Sequence, residues 1–148
     1  MKFSPKTLLA AVALPIMMTA CASNGSGEKQ ITAQDLQHHN WELVSVDGEM
    51  IPSVEGHKKP RLEIGEKLMA NGNAGCNNFF GQAELKNNQL RIAKMGMTMK
   101  MCIGESMNLE QTFSKTLSQW SDITLTKDSL VLMNETHTLT FKLKDWKK

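Results

Sequence analysis

Three cysteines, four histidines and a run of alternating methionines are the residues of this chain that could do chemistry. Met95, Met97, Met99 and Met101 fall at every second position. On a strand, that spacing points all four thioethers to one side. Soft sulfur donors suit Cu(I), so a Cu(I) site is one reading. The plainer reading is that methionine, being flexible, fills space beneath a packed helix. None of His38, His39, His57 and His137 has metal-ligand spacing such as His-Glu-x-x-His. His137 beside a free Cys76 or Cys102 could imitate a thiol catalytic pair, but the two thiols are expected to be oxidised together. There is no Gly-x-Ser-x-Gly elbow, and no carboxylate pair stands apart from the surface acids. The segment from Gly72 to Gly81 is rich in glycine and asparagine but lacks the Gly-Lys-Ser/Thr end of a phosphate loop. It reads as a turn and bulge that positions Cys76, with Asn77 tying the loop backbone, Phe79 in the core and Gly81 allowing close approach.

The cysteines sort by position. Cys21 ends an apolar run, Leu8 to Ala20, that follows Lys2 and Lys6. A basic start, a short apolar stretch and a small-residue site have the form of a secretory leader. The run is too short to span a bilayer as a helix. Met18-Thr19-Ala20-Cys21 resembles a bacterial lipobox, which implies cleavage before Cys21 and lipid on its sulfur. A plain secretory leader is the alternative, and it leaves Cys21 as an odd thiol. Ala22, not aspartate, follows, and in Gram-negative lipoproteins that resembles the pattern forwarded to the outer membrane. The expected division is a leader at 1–20, a flexible lipidated tether at 21–30 and one folded domain at 31–148. Cys76 and Cys102 then remain as an even pair in an oxidising compartment, where a disulfide persists. Two separate buried thiols are the alternative.

Charge narrows the class. Of 17 Lys+Arg and 15 Asp+Glu, Lys2 and Lys6 leave with the leader, which holds no acid, so the remaining charges balance. A neutral domain argues against a nucleic-acid partner. A monomer without cofactor is expected, its membrane contact made through the N-terminal lipid.

The elements that must position these residues are mostly strands. Thr32-x-x-Asp35 has the form of a weakened capping box and predicts a short helix over 33–39. Apolar alternation predicts strands at 41–46 and 61–64. Asp47-Gly48 supplies a hairpin turn signal between the first of these and a return at 49–51. Further strands are expected at 79–85, 89–92, 123–126, 130–133 and 138–143, as an antiparallel meander. From 105 to 119, Leu109, Phe113 and Leu117 recur every fourth residue, as on an amphipathic helix laid over a sheet, with Glu110 and Gln111 facing away.

Three segments together resemble the META domain, the family of the HslJ-type lipoproteins. They are Gly75-Cys76-Asn77-Asn78-Phe79-Phe80-Gly81, Met97-Thr98-Met99-Lys100-Met101-Cys102, and Glu110 with Phe113 and Leu117 on the helix. Gly75, Cys76, Asn77, Phe79, Gly81, Thr98, Cys102, Glu110, Phe113 and Leu117 match the family pattern. Lys100 departs from it, standing where the family usually has methionine. The resemblance runs from about residue 36 to 143. It implies a mainly β, α+β fold, an antiparallel barrel-like sheet with one packed helix. It also implies an association with heat shock and with tolerance of the antibiotic novobiocin. The expectation is a non-enzymatic envelope lipoprotein that faces the periplasm and binds or stabilises an envelope component. A small-ligand or Cu(I) carrier in the periplasm is the alternative.

Overall fold

Alternate residues of the first strand, β1 (His39–Val46), turn inward, burying Trp41, Leu43 and Ser45. Asp47 and Gly48, both at positive φ, reverse the chain into the two-residue β2 (Glu49–Met50), the geometry that Asp-Gly favours in hairpins. The computed structural model describes residues 27–145. The leader at 1–20, Cys21 and the tether as far as residue 26 therefore lie outside the described residues.

After a loop at 51–60 come β3 (Arg61–Ile64), β4 (Met69–Asn73), β5 (Asn78–Lys86) and β6 (Gln89–Met97). The helix α2 (Glu105–Ser118) follows, then β7 (Ser121–Leu125), β8 (Ser129–Met133) and β9 (Thr138–Leu143). Every pairing is antiparallel, and the order is β2-β1-β3-β4-β5-β6-β7-β8-β9, with β1 also pairing β9. Eight strands thus close into a barrel, with β2 as an extra strand outside the closure. Closure removes the sheet edges that would otherwise invite association.

One seam is thin. β6 and β7 share only Gln89↔Asp122 and Leu90↔Ser121. Helix α2 packs against β6 and buries Phe113 and Leu117 in the core. Phe113 sits edge-on between Phe79 and Phe141, with ring centroids 5.7 and 6.0 Å away. Fully burying one such side chain contributes about 1.5–3 kcal/mol.

Four expectations about the elements change. The first helix, α1 (Ala33–Leu36), stops short of His39. Gln37 already turns to extended backbone (φ −69°, ψ 149°), which ends the helix; His38 follows at φ 64°, and His39 begins β1. Gly72 and Asn73, read from composition as part of a turn and bulge, are strand, because β4 is hydrogen-bonded to β3 and to β5. Strand β6 runs past Ile92 to Met97 by means of a bulge, with Lys94 at φ 51° and a shift of register opposite Phe80 and Gln82. Gly81 lies at this bulge, where an added Cβ would fall 2.6 Å from Ile92 Cγ2 and 2.9 Å from Ala93 O. Strand β7 begins at Ser121, earlier than the apolar pattern suggests.

Candidate functional site

Six residues of the family pattern, Gly75, Cys76, Asn77, Thr98, Cys102 and Glu110, meet at one end of the barrel, where β4 gives way to β5; Phe79, Phe113 and Leu117 lie in the core and Gly81 at the bulge. Residues 74–77 make a tight loop there. The Ala74 N–H donates to Asn77 O at 2.8 Å, and the Gly75 N–H donates to Asn73 Oδ1 at 2.9 Å. Gly75 has φ 119°, a conformation that strains any residue with a Cβ. The loop presents Cys76 to Cys102, and the two are bonded, with Cα atoms 6.1 Å apart across a sequence separation of 26.

Asn77 is the hub. Only 3% exposed, it joins three pieces of chain. Its N–H donates to Glu110 Oε2 at 2.5 Å and its Nδ2 to Glu110 Oε1 at 2.9 Å. The Cys76 N–H reaches the same Oε2 at 3.3 Å. On the other side, Asn77 Oδ1 accepts from the Lys100 N–H at 2.6 Å, and Nδ2 donates to Lys100 O at 3.1 Å. Thr98 Oγ1 adds a bond to Asn77 Oδ1 at 3.0 Å and accepts from the Asn78 N–H at 3.1 Å. The flat amide of Asn77 therefore pairs with Lys100 as a neighbouring strand would. Its remaining capacity goes to the helix. Buried polar groups are tolerated when partnered in this way.

Glu110 corrects its assignment. It does not face away from the sheet; it is buried, at 7% exposure. The inward stripe of α2 is Glu110, Phe113, Thr116 and Leu117, with Leu109 half-buried beside it. Gln111 is exposed as expected. The first turns of the helix overhang the 74–77 loop, so an inward carboxyl meets backbone donors rather than the apolar core. Sequence reasoning named Glu110 by resemblance and missed its orientation. The available signal was its spacing of three and seven from Phe113 and Leu117.

The four methionines do not share a face. Met95 and Met97 pack against the core and border a shallow groove with Ser114 and Ser118 of α2. This matches the filler reading. Met99 and Met101 lie beyond the end of β6 and are each 95% exposed. Sequence alternation continues through Thr98, but the ladder with β5 ends at Phe79↔Met97. From there the chain follows Asn77 and Cys76. Thr98, Lys100 and Cys102 are held against the barrel, while Met99, Met101 and Ile103 are turned outward.

The histidines serve other ends. His137 Nδ1 lies 2.7 Å from Asp47 Oδ2. That bond, with a second from the Thr138 N–H, holds the Asp47 carboxyl below the usual range. His39 Nδ1 lies 2.8 Å from Asp145 Oδ2. Desolvation pushes Asp145 up, but donation from Asn40 and His39 outweighs it and lowers its pKa. With both thiols in the disulfide and His137 on Asp47, the thiol–imidazole pair is not assembled. Among the described residues no three of His, Cys, Asp and Glu cluster as metal ligands. None of their helices is long and apolar enough to cross a membrane.

Beside the junction runs a groove of about 770 Å³, bordered by Met50, Val54, Pro60, Gly75, Ile103 and Leu109. Met50, Val54 and Ile103 are 71%, 54% and 97% exposed. The arrangement leaves this end of the barrel rigid at its base, with apolar side chains held out among charged ones, Asp47, Glu49, Lys58, Lys59 and Glu105.

The META domain family model matches residues 34–146 of the chain. Heat shock protein HslJ of Escherichia coli (strain K12) is 36% identical over 141 residues, covering 95% of this chain and 97% of that protein. A protein solved by NMR, 36% identical, superposes with a TM-score of 0.66 over 77% of this chain and 96% of its own. A second NMR structure, from Burkholderia xenovorans, is 22% identical, with a TM-score of 0.63 over 76% of this chain and 86% of its own. The latter likeness speaks to fold.

Proposed function

The chain belongs to the META domain family, and from that premise we propose that it is a non-enzymatic lipoprotein of the cell envelope. In this reading Cys21 carries the lipid, the outer membrane holds the lipid and the domain faces the periplasm. The protein contributes to tolerance of heat and of novobiocin by binding or stabilising an envelope component. One observation carries the reading: Cys76 and Cys102 are bonded to each other, which leaves Cys21 as the odd cysteine behind a leader-like run. Disulfides persist in oxidising compartments, so the bond and the leader point the same way. The name of the HslJ relative supports the heat-shock part. A role without catalysis is supported by thiols locked in a staple and by a junction whose polar groups serve one another.

Mass spectrometry of the membrane-extracted protein tests the proposal. The expected species begins at Cys21 with acyl chains on it, and Cys21→Ser abolishes both processing and acylation. An unacylated full-length precursor in the cytosol, with all three thiols reduced, overturns it. Deleting the gene should lower survival under heat or novobiocin, and Cys21→Ser should fail to restore it.

A further inference from the structure

We infer that residues 98–103 are a docking edge for an extended peptide, which adds to the barrel rim by strand pairing. The peptide it fits is apolar at alternate positions and carries an acidic residue opposite Lys100. This goes beyond the binding role proposed above by giving the partner's chemistry, and it rests on that role.

The argument begins with the backbone. Residues 98–103 run without turn or helix from the end of β6 to Gly104. In an extended chain the N–H and C=O of one residue point to one side and those of its neighbours to the other. Lys100 gives both of its groups to the Asn77 amide. Met99 and Met101 therefore turn theirs the opposite way. Among the described residues no partner meets the backbone N–H or C=O of Met99, Met101 or Ile103. Such a row of unpaired groups is a template for another strand.

The side chains point to the same use. Met99, Met101 and Ile103 are 95%, 95% and 97% exposed. They are displayed by a segment fixed at Lys100 by a buried asparagine and at Cys102 by a disulfide. A fixed apolar row costs little further entropy to bind. Ile103 also borders the groove with Met50, Val54 and Leu109, which gives alternate side chains of an added strand a place to lodge.

Charge narrows the occupant. The charged groups that border the groove are mixed, Lys58 and Lys59 beside Asp47, Glu49 and Glu105. Between Met99 and Met101 the edge itself displays one exposed charge, Lys100, and an acidic residue opposite it makes a favourable cross-strand pair.

The test uses the full chain in detergent and a displayed library of random nine-residue peptides. Enriched peptides should alternate apolar residues around an acid. Their binding should slow hydrogen exchange at the Met99 and Met101 amides while leaving the already bonded Lys100 amide unchanged. N-methylating alternate peptide amides should weaken binding by about tenfold or more, since backbone pairing is what it removes. The double variant M99S/M101S should weaken binding similarly with an unchanged melting temperature, which certifies the fold. Four results overturn the inference. They are no enrichment, binding that tolerates N-methylation, the same amides protected by phosphatidylethanolamine–phosphatidylglycerol vesicles alone, and their protection by self-association. Acylation of Cys21 is read separately by mass, so failure here and failure of the anchoring proposal are distinguishable.

Discussion

At the end of the barrel where the described chain begins, exposed charges tie the elements together. Lys29 Nζ lies 3.1 Å from Asp35 Oδ1, and Asp35 also accepts from the Thr32 N–H and O–H. His39 and Asp145 pair nearby. At the opposite end, the Asn77 amide, the Glu110 carboxyl and the Cys76–Cys102 bond sit together, with Asn77 and Glu110 buried. Exposed pairs are screened by water and salt and add little stability. Buried polar networks and covalent staples are costly to break. The same barrel thus has a forgiving end and a rigid one, and the rigid end is where apolar side chains are held out to solvent. Rigidity there serves presentation as well as stability.

Substitutions should reproduce that ordering. Asn77→Ala should have the largest effect, because it orphans a buried Glu110 oxygen and the part-buried N–H and C=O of Lys100. At about 1–3 kcal/mol for each unsatisfied group, the loss is about 4 kcal/mol in urea denaturation. Cys76→Ser should cost roughly 3 kcal/mol, the loop-closure value for this separation. Cys102→Ser should match it, and the double variant should add little. Clearly additive losses would show that the two act apart. Glu110→Gln keeps the shape of the side chain but sets an amide N–H against the donors of residues 76 and 77. It should cost about 1–3 kcal/mol, visible as a lower melting temperature. An outward Glu110 would give almost no change.

The smallest effect belongs to the forgiving end. Asp35 is lowered from 3.8 to about 2, first by the Thr32 N–H, then by the Thr32 hydroxyl and Lys29. A carboxyl with a depressed folded-state pKa stabilises above its unfolded value and loses that contribution as pH falls through the folded one. The contribution of Asp35 is therefore complete above about pH 4 and gone below about pH 2. Asp35→Asn should lower the melting temperature only slightly at pH 7, because the pair is exposed, and the difference from the parent should shrink between about pH 4 and pH 2 and vanish below it. A large shift at neutral pH would place real stability at this end and undo the contrast.

How far the sequence reveals this contrast depends on where the interactions lie. Strands such as β8 and β9 are legible because one face is wet and the other dry, and alternation records that directly. The extent of α2 is legible for the same reason. Glu110 is misplaced because polarity predicts a solvent face, whereas its partners at Cys76 and Asn77 lie more than thirty residues upstream and leave no trace in local periodicity. Met99 and Met101 continue an alternation whose cause, the ladder with β5, has already ended. Asn71-Gly72-Asn73 has loop composition but strand neighbours on both sides, and tertiary pairing overrides propensity. The Cys76–Cys102 pairing is readable from parity and compartment alone. The asparagine that makes the junction work is singled out by the family resemblance and by its turn chemistry, but its pairing with Lys100 is visible only in three dimensions.

The central claim is that Asn77 and the disulfide pin one side of residues 98–103 and leave the other side open. Native-state hydrogen exchange of the individual amides reads it directly. The account predicts strong protection at the Lys100 N–H beside near-unprotected exchange at the Met99 and Met101 N–H groups. Equal rates at all three amides, whether fast or slow, would contradict it.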